Sequence, residues 1–151
     1  MHRWHYVAMS FASIAFVGCG GDGLTRVPVE GRVTAKGQPV GNATVSFMPA
    51  EGTAGEGGIG TTDADGRFTL TGSRRGDSGV VAGKYRVVVS RFINPDGTTV
   101  DLENFKEADN PLAFESVPAP YSAAESPLEV TVPETGGAVQ VEIPAKLRGK
   151  K

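Results

Sequence analysis

Residues 29–48, VEGRVTAKGQPVGNATVSFM, and residues 60–70, GTTDADGRFTL, decide the fold of this chain. In both stretches apolar and polar side chains tend to alternate along the sequence. Successive side chains of a β-strand point to opposite faces of a sheet, so a period of two predicts strands with one buried and one solvated face. Together with later segments of the same pattern, these stretches give the predicted core: Val33, Val45, Phe47, Phe68, Leu70, Val87, Val89, Val130, Val141 and Ile143.

The composition of the 151 residues favours many short strands over helices. The chain contains 21 Gly and 10 Pro, which interrupt regular elements and form turns. Its length suffices for one domain with a hydrophobic core. The formal net charge of −2, without a basic face that carries aromatic residues, argues against a nucleic-acid partner.

The alternation and the turn signals together predict seven strands: 27–35, 43–48, 59–62, 67–71, 84–92, 128–132 and 139–143. We therefore predict an all-β domain over residues 27–144, a seven-stranded antiparallel β-sandwich. The segment 84–92 is apolar on both faces around residues 87–89, which is typical of a central strand. A long irregular loop, residues 93–125, precedes the last two strands, and residues 145–151 are predicted to be a solvated basic tail.

The DADG sequence at residues 63–66 has two interpretations. Asp and Gly favour a tight hairpin turn in which Gly66 adopts a positive φ. Asp63 and Asp65 also stand at alternate positions before a Gly, as at the start of a calcium-binding loop. The following residues lack the later ligands of such a loop, so the turn is the favoured interpretation. Asp63 and Asp65 are only weak metal candidates, and no cofactor is predicted.

The N-terminal segment predicts secretion and a lipid anchor. An apolar run of about a dozen residues is the length of a signal-peptide core and is short for a membrane span. It ends in FVGC, residues 16–19, which resembles the lipobox of bacterial lipoprotein signal peptides. That resemblance implies a signal peptide at residues 1–18, lipidation of Cys19, a Gly-rich tether through residue 26, and a preference for the outer membrane because Gly20 follows the cysteine. The alternative is an unmodified thiol beside an ordinary cleavage site.

Four segments together resemble a known family. VEGRVTAKGQPVGNATVSF, TTDADGRFTL, GKYRVVVS and VPAPYSAAESPLEVTV are similar to the carboxypeptidase regulatory-like, or transthyretin (prealbumin)-like, domain. The chain in particular resembles small envelope lipoproteins of planctomycete-type bacteria. The resemblance implies a prealbumin-like, Ig-like β-sandwich. Because its motifs are mainly turn glycines and core positions, it specifies a fold better than a function.

The residue types that remain after the cleavage point argue against an enzyme. The only histidines are His2 and His5, and the only cysteine is Cys19, so His-based and Cys-based catalysis is not expected in the mature chain. Charged residues on the polar side of the strands, such as Arg32, Arg67, Arg86 and Glu30, are expected to decorate a solvated sheet face. The sequence thus predicts a protein that is not an enzyme.

Two functions fit these observations. The first is a lipid-anchored cell-envelope β-sandwich with a structural, adhesive or protein-interaction role. It would face the periplasm or the cell surface, bound to the membrane through its lipid, with envelope proteins or polysaccharide as partners. The second is a small-ligand or carbohydrate-binding module in residues 92–121, where Phe105, Phe114 and Tyr121 could form an aromatic platform.

Overall fold

The computed structural model describes residues 22–74, 76–100 and 110–149, and within these ranges the chain forms β-strands and no helix. The predicted all-β class is confirmed. The strands are β1 (Arg26–Val27), β2 (Val29–Ala35), β3 (Gln38–Pro39), β4 (Thr44–Pro49), β5 (Gly58–Thr61), β6 (Arg67–Thr69), β7 (Thr71–Gly72), β8 (Val80–Val81), β9 (Gly83–Ser90), β10 (Phe92–Ile93), β11 (Phe114–Glu115), β12 (Glu129–Val132) and β13 (Gly137–Ile143).

The strands of the described residues form two main sheets and two short ribbons, an arrangement consistent with a β-sandwich. The first sheet has five strands in the order β12-β9-β4-β5-β7. In the second sheet, β13 pairs with one edge of β2, while β3 and β6 pair with the other edge. The ribbons are β1-β8 and β10-β11. The strand β9 lies between β12 and β4, which confirms the central position predicted from its two apolar faces.

Inward-facing side chains from both main sheets form one apolar cluster. Phe47 of β4 is 2 % exposed, and its ring centroid lies 6.0 Å from that of Phe68 on β6. A second aromatic contact joins Phe47 to Tyr85 of β9 at 5.7 Å. Phe47 therefore links the two main sheets at the centre of the core.

The predicted core is confirmed except at one position. Val130 is half-buried at the margin of the cluster, whereas Val132, two residues further along the same strand, is 2 % exposed. Both side chains face inward, but β12 is an edge strand of the five-stranded sheet and is covered unevenly along its length. The predicted phase of this strand is right, and the predicted depth of Val130 is wrong.

The prediction that all strands are antiparallel is wrong for the last one. β13 pairs in parallel with β2 over seven residues, from Gly137 opposite Val29 to Ile143 opposite Ala35. β12 belongs to the other sheet, so the turn between β12 and β13 carries the chain from one sheet to the other. Such a crossing does not reverse the chain within one sheet, which leaves β13 free to align with the N-terminal strand.

The predicted strand 67–71 is divided between the two sheets. Its first part, β6, pairs with β2, and its last part, β7, pairs with β5. Between them Leu70 is buried, and its N–H donates to the carbonyl of Val29 at 2.9 Å. The DADG turn therefore joins a strand of one sheet to a strand of the other. With Pro28 separating β1 from β2, such divisions raise the number of strands in the described residues above the predicted seven.

The described part of the long loop and the start of the C-terminal tail are tied to the domain. The N–H of Val89 donates to the carbonyl of Tyr121 at 3.1 Å, which places the loop beside β9. Ala145 and Leu147 pack against the core, and the N–H of Arg148 donates to Ser116 at 2.7 Å. The expected solvated tail is thus partly packed, because its first residues include apolar side chains.

Candidate ligand-binding groove

The aromatic residues predicted to form a carbohydrate platform are not brought together as an exposed surface. Phe105 lies outside the described residues. Phe114, in β11, is half-buried, and Tyr121 is half-buried against the hydrophobic core. Carbohydrate platforms need ring faces that are open to solvent, so the packing of Tyr121 favours a role in holding the loop to the domain.

The DADG segment forms a turn, and Gly66 has a φ of 77°, as predicted. The predicted hairpin is wrong, because the strands on either side of the turn, β5 and β6, pair in different sheets. One carboxylate oxygen of Asp63 accepts hydrogen bonds from the N–H of Asp65 at 2.9 Å and of Arg67 at 2.8 Å. In the described part of the chain, no group of three or more His, Cys, Asp or Glu side chains is arranged to hold a metal ion. The observed contacts of Asp63 are those of a residue that stabilises its own turn.

Cys19 lies outside the described residues, but an ion-pair cluster begins three residues after it. The guanidinium of Arg26 contacts Asp22 at 2.6 Å and Asp77 at 2.8 Å, and Arg74 contacts Asp22 at 2.9 Å. The hydrogen bond from Arg26, followed by that from the N–H of Leu24, holds the pKa of Asp22 well below its usual range. This cluster fixes the start of the described chain to the loop after β7.

A second charged cluster lies where β9 meets the long loop, and its bonds are largely with the protein backbone. One Glu115 oxygen accepts from the N–H of Arg91 at 2.8 Å and of Val117 at 2.9 Å, and the other accepts from the Ser90 hydroxyl at 2.6 Å. Nε of Arg91 donates to the carbonyl of Gly41 at 2.9 Å. Burial lowers the pKa of Arg91, while the nearby Glu115 acts in the opposite direction. The cluster therefore ties the loop to the sheet.

A groove with a volume of about 700 Å³ lies on the outward face of the second main sheet. This volume is within the range of small-molecule sites in proteins. Its lining includes Glu30, Gly31, Arg32, Asp63, Arg67 and Gln140. They come from β2, β6, β13 and the DADG turn, and among them the sequence alone indicated only Asp63, as a weak metal candidate.

Gly31 and Phe68 also line this groove, although the Phe68 side chain is buried in the core beneath the sheet. Gly31 lies directly between Val139 of β13 and Phe68 of β6 in the strand register. A Cβ atom at Gly31 would lie 2.7 Å from Cε1 of Phe68 and 2.8 Å from the carbonyl oxygen of Val139. The absence of a side chain thus lets the phenylalanine ring lie across the strand.

Two arginines stand directly opposite each other in the groove. Arg32 of β2 is the register partner of Arg67 on β6, and on its other side Arg32 pairs with Gln140 of β13. Nε of Arg32 donates to the carbonyl of Asp65 at 2.9 Å, which fixes the guanidinium against the DADG turn. Sequence reasoning assigned both arginines to a solvated face, because the alternation identifies the face but not the neighbour across the sheet.

Comparison with family models, curated proteins and solved structures finds no match to this chain. Among the described residues, no helix is long and apolar enough to cross a membrane.

Proposed function

We infer that this chain is a non-enzymatic, lipid-anchored domain of the bacterial cell envelope that acts by presenting a surface to other envelope components. The proposal includes lipidation at Cys19 and a carboxypeptidase regulatory-like, transthyretin-like sandwich. The FVGC sequence at the end of the apolar run supports the anchor. The two sheets that share one apolar cluster support the fold.

The ion pairs of Asp22 are the structural observation that best supports this proposal. Asp22 is three residues beyond Cys19, and an extended chain covers at most about 10 Å over that distance. Because Arg26 and Arg74 hold Asp22 against the domain, the tether has little free length. A lipid on Cys19 would then keep this edge of the domain close to the bilayer. Such an arrangement suits a protein that works at the membrane surface.

The directions of the pKa shifts of Asp22 and Tyr85 are in keeping with a non-enzymatic role. Hydrogen bonds lower the pKa of Asp22, and burial raises the pKa of Tyr85, whose hydroxyl donates to the carbonyl of Val81 at 2.6 Å. Both shifts move the group away from neutrality, whereas a general acid or base at neutral pH needs a pKa near 7. Hydrolase activity in the purified protein that disappears when one groove carboxylate is changed to Ala would refute the non-enzymatic role.

Cys19→Ser tests the anchor. The wild-type protein is expected to partition into the detergent phase of a phase-separation assay, and Cys19→Ser into the aqueous phase or to remain unprocessed. Asp22→Asn is the matched control, since it alters the tether but keeps the cysteine and should stay in the detergent phase. A mature wild-type chain that begins at another residue and has no lipid mass in mass spectrometry would refute lipidation.

A further inference from the structure

The two groove arginines carry like charges at directly opposite strand positions, and neither forms an ion pair with the described residues. Like charges directly opposite each other on neighbouring strands destabilise a sheet. Within residues 22–74, 76–100 and 110–149, ion pairs are formed by Arg26 and Arg74 with Asp22 and Asp77, and neither arginine of the groove takes part. Arg86, on the other main sheet, instead pairs in register with Glu129.

The two arginines are positioned to bind an oxyanion. The hydrogen bond from Nε of Arg32 to Asp65 uses one donor and orients the guanidinium, and its terminal nitrogens make no hydrogen bond with the described residues. Arg67 is exposed beside it. A planar guanidinium binds carboxylate, sulfate or phosphate through two parallel hydrogen bonds, and a second cation at the same site strengthens such binding.

The other groove residues indicate what the anion is attached to. Glu30 and Asp63 contribute carboxylate acceptors, and Gln140 adds an amide that both donates and accepts. One Asp63 oxygen is occupied by turn amides, and the other accepts no hydrogen bond from the described residues. Carboxylates repel a ligand that carries only negative charge but accept hydrogen bonds from hydroxyl groups. The groove therefore fits a ligand in which acid groups alternate with hydroxyls, a combination that acidic sugars provide.

We propose that the groove between β2, β6 and the DADG turn binds an acidic polysaccharide, with Arg32 and Arg67 on its acid groups and Glu30, Asp63 and Gln140 on its hydroxyls. The groove is open to solvent, so a segment within a longer chain fits along it. An acidic peptide presents no comparable array of hydroxyls and fits less well. This inference does not depend on the lipid anchor, so either can fail without the other.

The test is calorimetric titration of the purified full-length protein in detergent with a linear trisaccharide of galacturonic acid. The methyl ester of the same trisaccharide has the same shape without the charge, and hexaglutamate has charge without hydroxyls. We expect the acidic trisaccharide to bind, the ester to bind at least about tenfold more weakly, and added salt to weaken binding. No binding at millimolar concentration, equal binding of the ester, or tighter binding of hexaglutamate or inorganic sulfate would overturn the proposal.

Arg67→Gln is the decisive variant, and Arg86→Gln is its matched control on an exposed strand position of the other sheet. Arg67→Gln should weaken binding by about tenfold or more, since it removes a charge-assisted contact, while Arg86→Gln leaves binding unchanged. Because Arg67→Gln also removes the like-charge pair, its melting temperature should equal or exceed that of the wild type. Arg67→Lys keeps the charge and should retain part of the affinity. Unchanged binding by Arg67→Gln would exclude this groove as the site.

Discussion

Truncation of Phe47 tests most directly how the two main sheets are held together. Its side chain is 2 % exposed, and its ring lies 6.0 Å from Phe68 in the other sheet and 5.7 Å from Tyr85 in its own. Phe→Ala changes in cores cost about 3–5 kcal/mol, and an aromatic pair contributes about 0.5–1.5 kcal/mol beyond its buried area. Phe47→Ala should therefore lower the free energy of unfolding by about 5 kcal/mol, the upper end of the range for such changes. A domain has a total free energy of unfolding of about 5–15 kcal/mol, so this variant is close to unfolding.

The measurement is the free energy of unfolding from urea titration of full-length variants. Phe47→Leu keeps most of the apolar volume, and its expected cost of about 1–2 kcal/mol leaves a folded protein. Met48→Ala is the matched control: this neighbouring side chain points outward, is 41 % exposed, and should cost less than about 0.5 kcal/mol.

A double-mutant cycle of Phe47→Leu with Phe68→Leu isolates the contact between the sheets. The two rings touch, so the free-energy changes should be non-additive by about 0.5–1.5 kcal/mol. Strictly additive changes would mean that the rings do not interact across the sandwich. A cost for Met48→Ala equal to that for Phe47→Ala would mean that the face of β4 assigned to the core is wrong.

Other parts of the structure are tested by three further substitutions and by the addition of calcium. Gly31→Ala should lower the urea midpoint, because its Cβ would lie 2.8 Å from a backbone carbonyl oxygen of β13; an unchanged midpoint would contradict this close approach. Thr62→Val should cost about 1–3 kcal/mol, because it leaves the buried N–H of Ala43 without its acceptor at 2.9 Å; full wild-type stability would show that this bond is dispensable. Because the pKa of Asp22 is lowered in the folded state, its ionised carboxylate stabilises the fold, and Asp22→Asn should remove that stability. The difference in stability between the wild type and Asp22→Asn should be constant above the ordinary carboxyl pKa of about 4 and should vanish as the pH falls below it. Melting temperatures of both proteins across this pH range measure the difference. Millimolar calcium should leave the melting temperature unchanged, because the turn at residues 63–66 already uses one Asp63 oxygen; a rise would show a metal site.

The features that the sequence predicted well depend on local geometry. The alternation of apolar residues identified the inward positions of β2, β4, β9 and β13, because side-chain direction in a strand repeats every two residues whatever the strand pairs with. The positive φ of Gly66 was predictable for a similar reason, since a tight turn of this kind requires it within a few residues.

The pairing of the strands could not be predicted in the same way. Val139 and Val141 would show the same alternation whether β13 paired with its sequence neighbour β12 or, as observed, in parallel with β2. The switch of the chain between sheets at Leu70 likewise depends on a hydrogen bond to Val29, far away in sequence. Burial depth has the same limitation: the phase of β12 placed Val130 and Val132 on one face but could not show which of them the other sheet covers.

The candidate site could not be predicted from the sequence, because a solvated sheet face and a ligand-binding face show the same alternation of polar and apolar residues. Arg32, Arg67 and Arg86 all occupy outward strand positions, where an isolated arginine is a normal part of a solvated face. The strand register separates them: Arg86 lies opposite the negatively charged Glu129, whereas Arg32 lies opposite Arg67, which carries the same charge. Like charges directly opposite each other generally destabilise a sheet. Stability alone gives no reason to keep two cations facing each other at a groove. The arginine pair therefore points to a ligand, although each arginine, considered singly in the sequence, indicates only an exposed strand.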